Sequence, residues 1–140
     1  MIRSLFFEIQ ELVSPEHLEL LTEEACWCLF EDLHMERLDM LRKLYGSALM
    51  INGSGRKYSG IRPKDCTEGA PGSMHKIMDP LIRAFDVHCS NLPLLEKIIR
   101  DSAKVLGIVR MEDPASTPEW RHIEITASAL SIPDLKVFIP

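Results

Sequence analysis

The sequence predicts an α+β protein, with a mainly antiparallel sheet, N-terminal helices and one further helix packed on the sheet. Three features predict it. Residues 32–45 place Met35, Leu38, Leu41 and Tyr45 on one helical stripe, with Glu36, Arg37, Asp39 and Lys43 largely off it and Gly46 set to end it. Residues 83–88 and 121–125 instead alternate apolar and polar side chains, as half-buried strands do. Between them, Asn91-Leu92-Pro93 opens one more helix with the stripe Leu95, Ile98, Ile99, Ser102 and Leu106, ended by Gly107. A chain of 140 residues is long enough for one core and short for two, so residues 1–140 read as a single domain.

The remaining elements follow in order. Residues 5–13 are apolar with scattered charge and suit a short helix or a docking segment. Ser14-Pro15-Glu16 is a helix start, a capping hydroxyl followed by proline at the first helical position. Residues 48–51 look like a short buried strand. Residues 52–73 hold five of the seven glycines, with Arg56, Lys57 and Arg62, and read as a long loop. Long ordered loops in compact domains are commonly functional. No Gly-Lys-Ser/Thr closes this one, so it is not a phosphate-binding loop of the nucleotide-hydrolase type. Residues 108–111 and 135–139 add strands.

Composition excludes some classes. With 46 % hydrophobic and 26 % charged residues, the chain has the balance of a soluble globular protein. A net charge of −5 and a pI near 5.5 argue against a nucleic-acid surface. No apolar run is long enough to span a bilayer. The N-terminus meets charge too soon for a signal peptide. Cys26, Cys28, Cys66 and Cys89 are therefore expected as free thiols, the first two explained by core packing.

The chemistry-bearing stretch is Pro118-Glu119-Trp120-Arg121-His122-Ile123-Glu124-Ile125. As a strand it sends Ile123 and Ile125 into the core and leaves His122 and Glu124 on the opposite, more open face, with Glu119 on the adjoining loop. The same alternation puts Phe85 and Val87 inward and Ala84, Asp86 and His88 outward. Ser73-Met74-His75 lies at the end of the glycine-rich loop. Two imidazoles and a carboxylate with an open position form a catalytic zinc set. The competing reading is three unrelated polar residues on a sheet surface.

Four short segments occur in order: Ser59-Gly60-Ile61-Arg62, Ser73-Met74-His75, Ala84-Phe85-Asp86 and Glu119-Trp120-Arg121-His122. In these the chain resembles the zinc peptidases of the Hedgehog/D-Ala-D-Ala-peptidase fold (peptidase family M15), which cleave bacterial cell-wall peptides, and most of all their compact bacteriophage members. Glu11-Leu12-Val13-Ser14-Pro15 and Leu38-Asp39-Met40-Leu41-Arg42 extend the likeness over nearly the whole chain. The resemblance implies His75, Asp86 and His122 as ligands of Zn2+, and Glu119 as general base and acid acting on water whose pKa the zinc lowers to about 7. It implies Arg62 as the group that binds the substrate carbonyl or carboxylate and stabilises the oxyanion, Ser73 as a support for the His75 segment or a substrate contact, and Ser59 as a substrate-binding residue. The implied substrate is a D-amino-acid-containing stem peptide of peptidoglycan. A monomer without nucleic-acid partners or a membrane span is expected, in the host cytoplasm or the phage virion and acting on the bacterial cell wall.

One departure stands out. Ten residues, Lys76 to Phe85, separate His75 from Asp86, a longer spacer than the family's, and the family's glycine is replaced by Ile82. Loops absorb added residues at modest entropic cost. His88 is the alternative ligand if the insertion shifts the site. A catalytically degenerate binding or structural module that keeps the fold is the competing function.

Overall fold

The computed structural model describes residues 1–69, 72–77 and 79–140. Four helices, α1 (Pro15–Leu20), α2 (Glu23–Trp27), α3 (Asp32–Tyr45) and α4 (Leu92–Ser102), accompany four strands, β1 (Ile82–Val87), β2 (Ile108–Glu112), β3 (Arg121–Thr126) and β4 (Lys136–Phe138). The strands form one sheet in the order β1-β3-β2-β4. β3 pairs antiparallel with β1 and β2, whereas β4 pairs parallel with β2. The sheet is thus mixed, antiparallel from the β1 edge through β3 to β2 and parallel only where β4 joins β2.

Local chemistry sets the helix ends. Ser14 caps α1 by accepting from the His17 amide, and Pro15 fills the first helical position. At α3 the cap is reciprocal, the Glu31 amide donating to His34 Nδ1 at 3.0 Å. Gly46 ends α3 at φ +81°, a left-handed conformation that favours glycine. Asn91 Oδ1 accepts from the Leu94 amide to start α4. That helix stops at Ser102, before Gly107, which instead turns the chain into β2 at φ +62°.

The core lies on one face of the sheet. Met35, Leu38 and Leu41 of α3 and Leu95 and Ile99 of α4 pack with Phe85, Val87, Ile123 and Ile125, all fully buried. Residues 5–13 combine both predicted roles: Ile9–Glu11 is one turn of 3-10 helix, and Leu12 and Val13 dock into the core. Residues 48–51 form no strand. Leu49 and Ile51 are buried, but only Met50 makes a bridge, to His88, so packing orders the segment with no neighbouring ladder to extend it. Of the cysteine pair, Cys26 is buried as expected, while Cys28 is exposed; all four cysteines are free thiols. Among the described residues, no helix is long and apolar enough to cross a membrane.

Candidate metal centre

The β1–β3 register places Asp86 directly opposite His122. Their inward neighbours Phe85, Val87, Ile123 and Ile125 anchor both strands in the core, so alternation turns Asp86, His122 and Glu124 to the other face. That face is covered rather than open. All six residues of β3 are buried, His122 at 7 % exposure and Glu124 at 1 %. The Ser73–His75 segment and Phe138 of β4 lie over it.

His75 reaches the sheet through the Ser59-Gly60-Ile61-Arg62 segment. The Ser59 carbonyl accepts from the Asp86 amide at 2.7 Å, and the Arg62 amide donates to the His75 carbonyl at 2.7 Å. Between them, the Gly60 carbonyl stands 2.9 Å from His75 Nδ1. This segment is pinned in turn by the Ile61 amide donating to the Leu12 carbonyl at 2.9 Å. A Cβ on Gly60 would sit 2.1 Å from that carbonyl oxygen, so only glycine permits the approach. The same short segment therefore sets the positions of both Asp86 and His75.

Three donor atoms converge. His75 Nε2 lies 3.0 Å from Asp86 Oδ1 and 3.1 Å from His122 Nδ1, and His122 Nδ1 lies 2.9 Å from Asp86 Oδ1. Each ring's other nitrogen has a partner that can only accept: the Gly60 carbonyl for His75, and Glu124 Oε2 at 3.1 Å for His122. Those partners keep the outer nitrogens protonated and turn the inner lone pairs toward one point. Four-coordinate zinc, with bonds of about 2.0–2.2 Å, holds its donors roughly 3.3 Å apart. The set needs to spread by only a few tenths of an ångström. His75, Asp86 and His122 can hold a metal ion.

The electrostatics agree. Burial alone would raise the Asp86 carboxyl, but hydrogen bonds from His122 and His75 outweigh it and hold the group well below the usual carboxylate range. Burial alone would lower His122, yet its bonds to Asp86 and Glu124 push it up to about 9. Without a metal, the site concentrates negative charge and keeps a proton where a cation would sit.

Other expected residues fall around this centre. Ser73 Oγ accepts from the His75 amide at 3.3 Å, and with Arg110, His122, Glu124 and Phe138 it lines a cavity of about 220 Å³. Ser59 is buried and spends its hydroxyl on His88 Nε2 at 3.2 Å. It frames the site rather than facing that cavity. His88 lies outside the donor set; burial, then the Arg56 charge, hold it below its ordinary pKa. Half-buried Arg62 directs Nε to the Tyr58 carbonyl at 2.7 Å and Nη1 to the Glu68 carbonyl at 3.3 Å. Glu119 is exposed and lines a groove with His88, Met50 and Arg56. Among the described residues it is hydrogen-bonded to none of the three donors. Met78, within the long spacer, lies outside the described residues. Arg110 and Phe138 belong to none of the four ordered motifs. Arg110 is the register partner of Glu124, but nothing in the local sequence marks Phe138.

Fold and site together define an α+β fold with a buried His-Asp-His group, formed by edge strand β1, central strand β3 and the Ser73–His75 segment. No protein-family model, curated protein or solved structure matches the chain.

Proposed function

We propose that this protein is a zinc-dependent peptidase that hydrolyses D-amino-acid-containing stem peptides of peptidoglycan. The observation that carries this reading is the convergence of His75 Nε2, Asp86 Oδ1 and His122 Nδ1 from three separate segments. Two imidazoles and one carboxylate suit zinc, and three protein ligands leave a position open, which marks catalytic rather than structural sites. Zinc supplies Lewis-acid polarisation and lowers the pKa of the water it holds to about 7. The peptide substrate comes from the resemblance in the four ordered motifs.

The chain's own residues take the remaining roles. Glu124 and the Gly60 carbonyl orient the two rings. Glu119 is the proton carrier: an exposed carboxylate three residues before His122, with no hydrogen bond competing for it among the described residues. Arg62 supplies a cation beside the segment that carries His75, suited to an oxyanion or a carboxylate.

A second reading, a module that keeps the fold and the metal but not the catalysis, is favoured by two observations. Arg62 already gives two donors to loop carbonyls, and Glu119 lines a groove whose lining includes none of the three donors. Zinc content and hydrolysis of D-Ala-containing peptides, measured together, separate the readings. One zinc per chain with hydrolysis is the expected result. Zinc without hydrolysis leaves the module, and no stoichiometric zinc after supplementation refutes the metal centre.

A further inference from the structure

Behind the donor set a ring of contacts closes on itself. Glu124 is buried in the central strand, and its carboxylate receives His122 Nε2 at 3.1 Å on one oxygen and Arg110 Nη1 at 3.3 Å on the other. Arg110 stands opposite Glu124 in the β2–β3 register. Its guanidinium carbon lies 4.0 Å from the centre of the Phe138 ring. Phe138, carried by the parallel strand β4, meets the His122 ring edge-on at 5.9 Å between centres.

We infer that Glu124, Arg110 and Phe138 are positioning residues that fix the His122 ring as a metal ligand, so that the β2–β4 edge of the sheet sets metal affinity. This rests on the reading of the His75–Asp86–His122 cluster as a metal centre. An imidazole that binds through Nδ1 must carry its proton on Nε2, and a buried Nε2–H needs an acceptor. Glu124 supplies that acceptor, fixing tautomer and ring angle and making the ring a stronger donor. A carboxylate this buried needs a compensating cation, which Arg110 provides. Arg110 in turn is held flat by the face of Phe138. Each member of the ring thus limits the freedom of the next, ending at the ligand.

The test uses the full chain and zinc alone, with affinity measured by competition against a chromophoric chelator. Metal-free stability and the visible spectrum of the cobalt(II) form are recorded alongside. Glu124→Ala is expected to weaken zinc about 10–100-fold and to shift the cobalt bands. Glu124→Gln, whose carbonyl still accepts from Nε2, is expected to lose less, about several-fold. Arg110→Met and Phe138→Ala are expected to weaken zinc in the same direction. Wild-type affinity and spectrum in the Glu124 variants overturn the proposal while the metal centre stands. Variants that lose metal-free stability at unchanged zinc affinity also overturn it, because the ring is then only packing. If alanine at 124 prevents folding, the glutamine variant decides by the same criteria. A wild-type chain that takes up no zinc removes the metal reading itself, and this proposal with it.

Discussion

Gly60→Ala tests the frame of the site with a single methyl group. The added Cβ would stand 2.1 Å from the Leu12 carbonyl oxygen and 2.6 Å from its carbon, so the segment must withdraw by about 1 Å to restore ordinary contact. Overpacking of this kind costs about 1–3 kcal/mol. The hydrogen bond from the Ile61 amide to the same carbonyl, 2.9 Å long, weakens as well, at about 1 kcal/mol. Alanine recovers about 0.5 kcal/mol by restricting the unfolded chain. The balance is a loss of about 1.5–3.5 kcal/mol, or roughly 6–14 °C in Tm for a domain of this size. Withdrawal also moves the Ser59 and Gly60 carbonyls away from the Asp86 amide and His75 Nδ1, so zinc affinity should fall together with Tm. Thermal unfolding of the metal-free protein and chelator competition measure the two effects. Gly72→Ala is the control: no atom of the described residues lies within 4 Å of its Cβ, and a shift below about 0.5 kcal/mol is expected. If Gly60→Ala unfolds within a degree or two of the wild type, the Leu12 contact does not govern the segment and the account of how His75 is placed fails.

Two further outcomes follow from the site. Glu119→Gln keeps size but cannot accept a proton; turnover on a susceptible peptide should fall at least about 10²-fold with zinc content unchanged, and full activity would remove Glu119 from the mechanism. In metal-free protein, His122 at about 9 stands above its unfolded value of 6.5. A raised pKa gives stability that is complete below pH 6.5 and is lost as pH rises through about 9. Denaturation midpoints of chelator-treated protein should therefore decline over that window, whereas a flat profile would contradict the ion pair. Zinc, which takes the proton's place, should flatten the decline.

Helix α3 was legible almost to the residue, because an amphipathic stripe and a terminating glycine are both local signals. The inward turn of Ile123 and Ile125, and the meeting of His75, Asp86 and His122, were also foreseen. Alternation failed elsewhere. It says which side chains share a face but not what covers that face, so His122 and Glu124 read as open although Ser73–His75 and Phe138 lie over them. Residues 48–51 have a strand's composition without a ladder partner beyond His88, and only tertiary neighbours decide that. The use of Nδ1 rather than Nε2 by His122 depends on a ring rotation that Glu124 fixes, which a list of residue types does not contain.

The three donors are not equally tethered. Asp86 and His122 belong to neighbouring strands joined by ladder hydrogen bonds, so moving either one disturbs the sheet. His75 is attached through the main chain of Gly60 and Arg62 and the hydroxyl of Ser73, a smaller set of bonds that opens at lower cost than a core strand. An ion held here would detach from His75 first and leave by that side. Exchange rates, and with them affinity, would then report how firmly Ser59–Arg62 is seated.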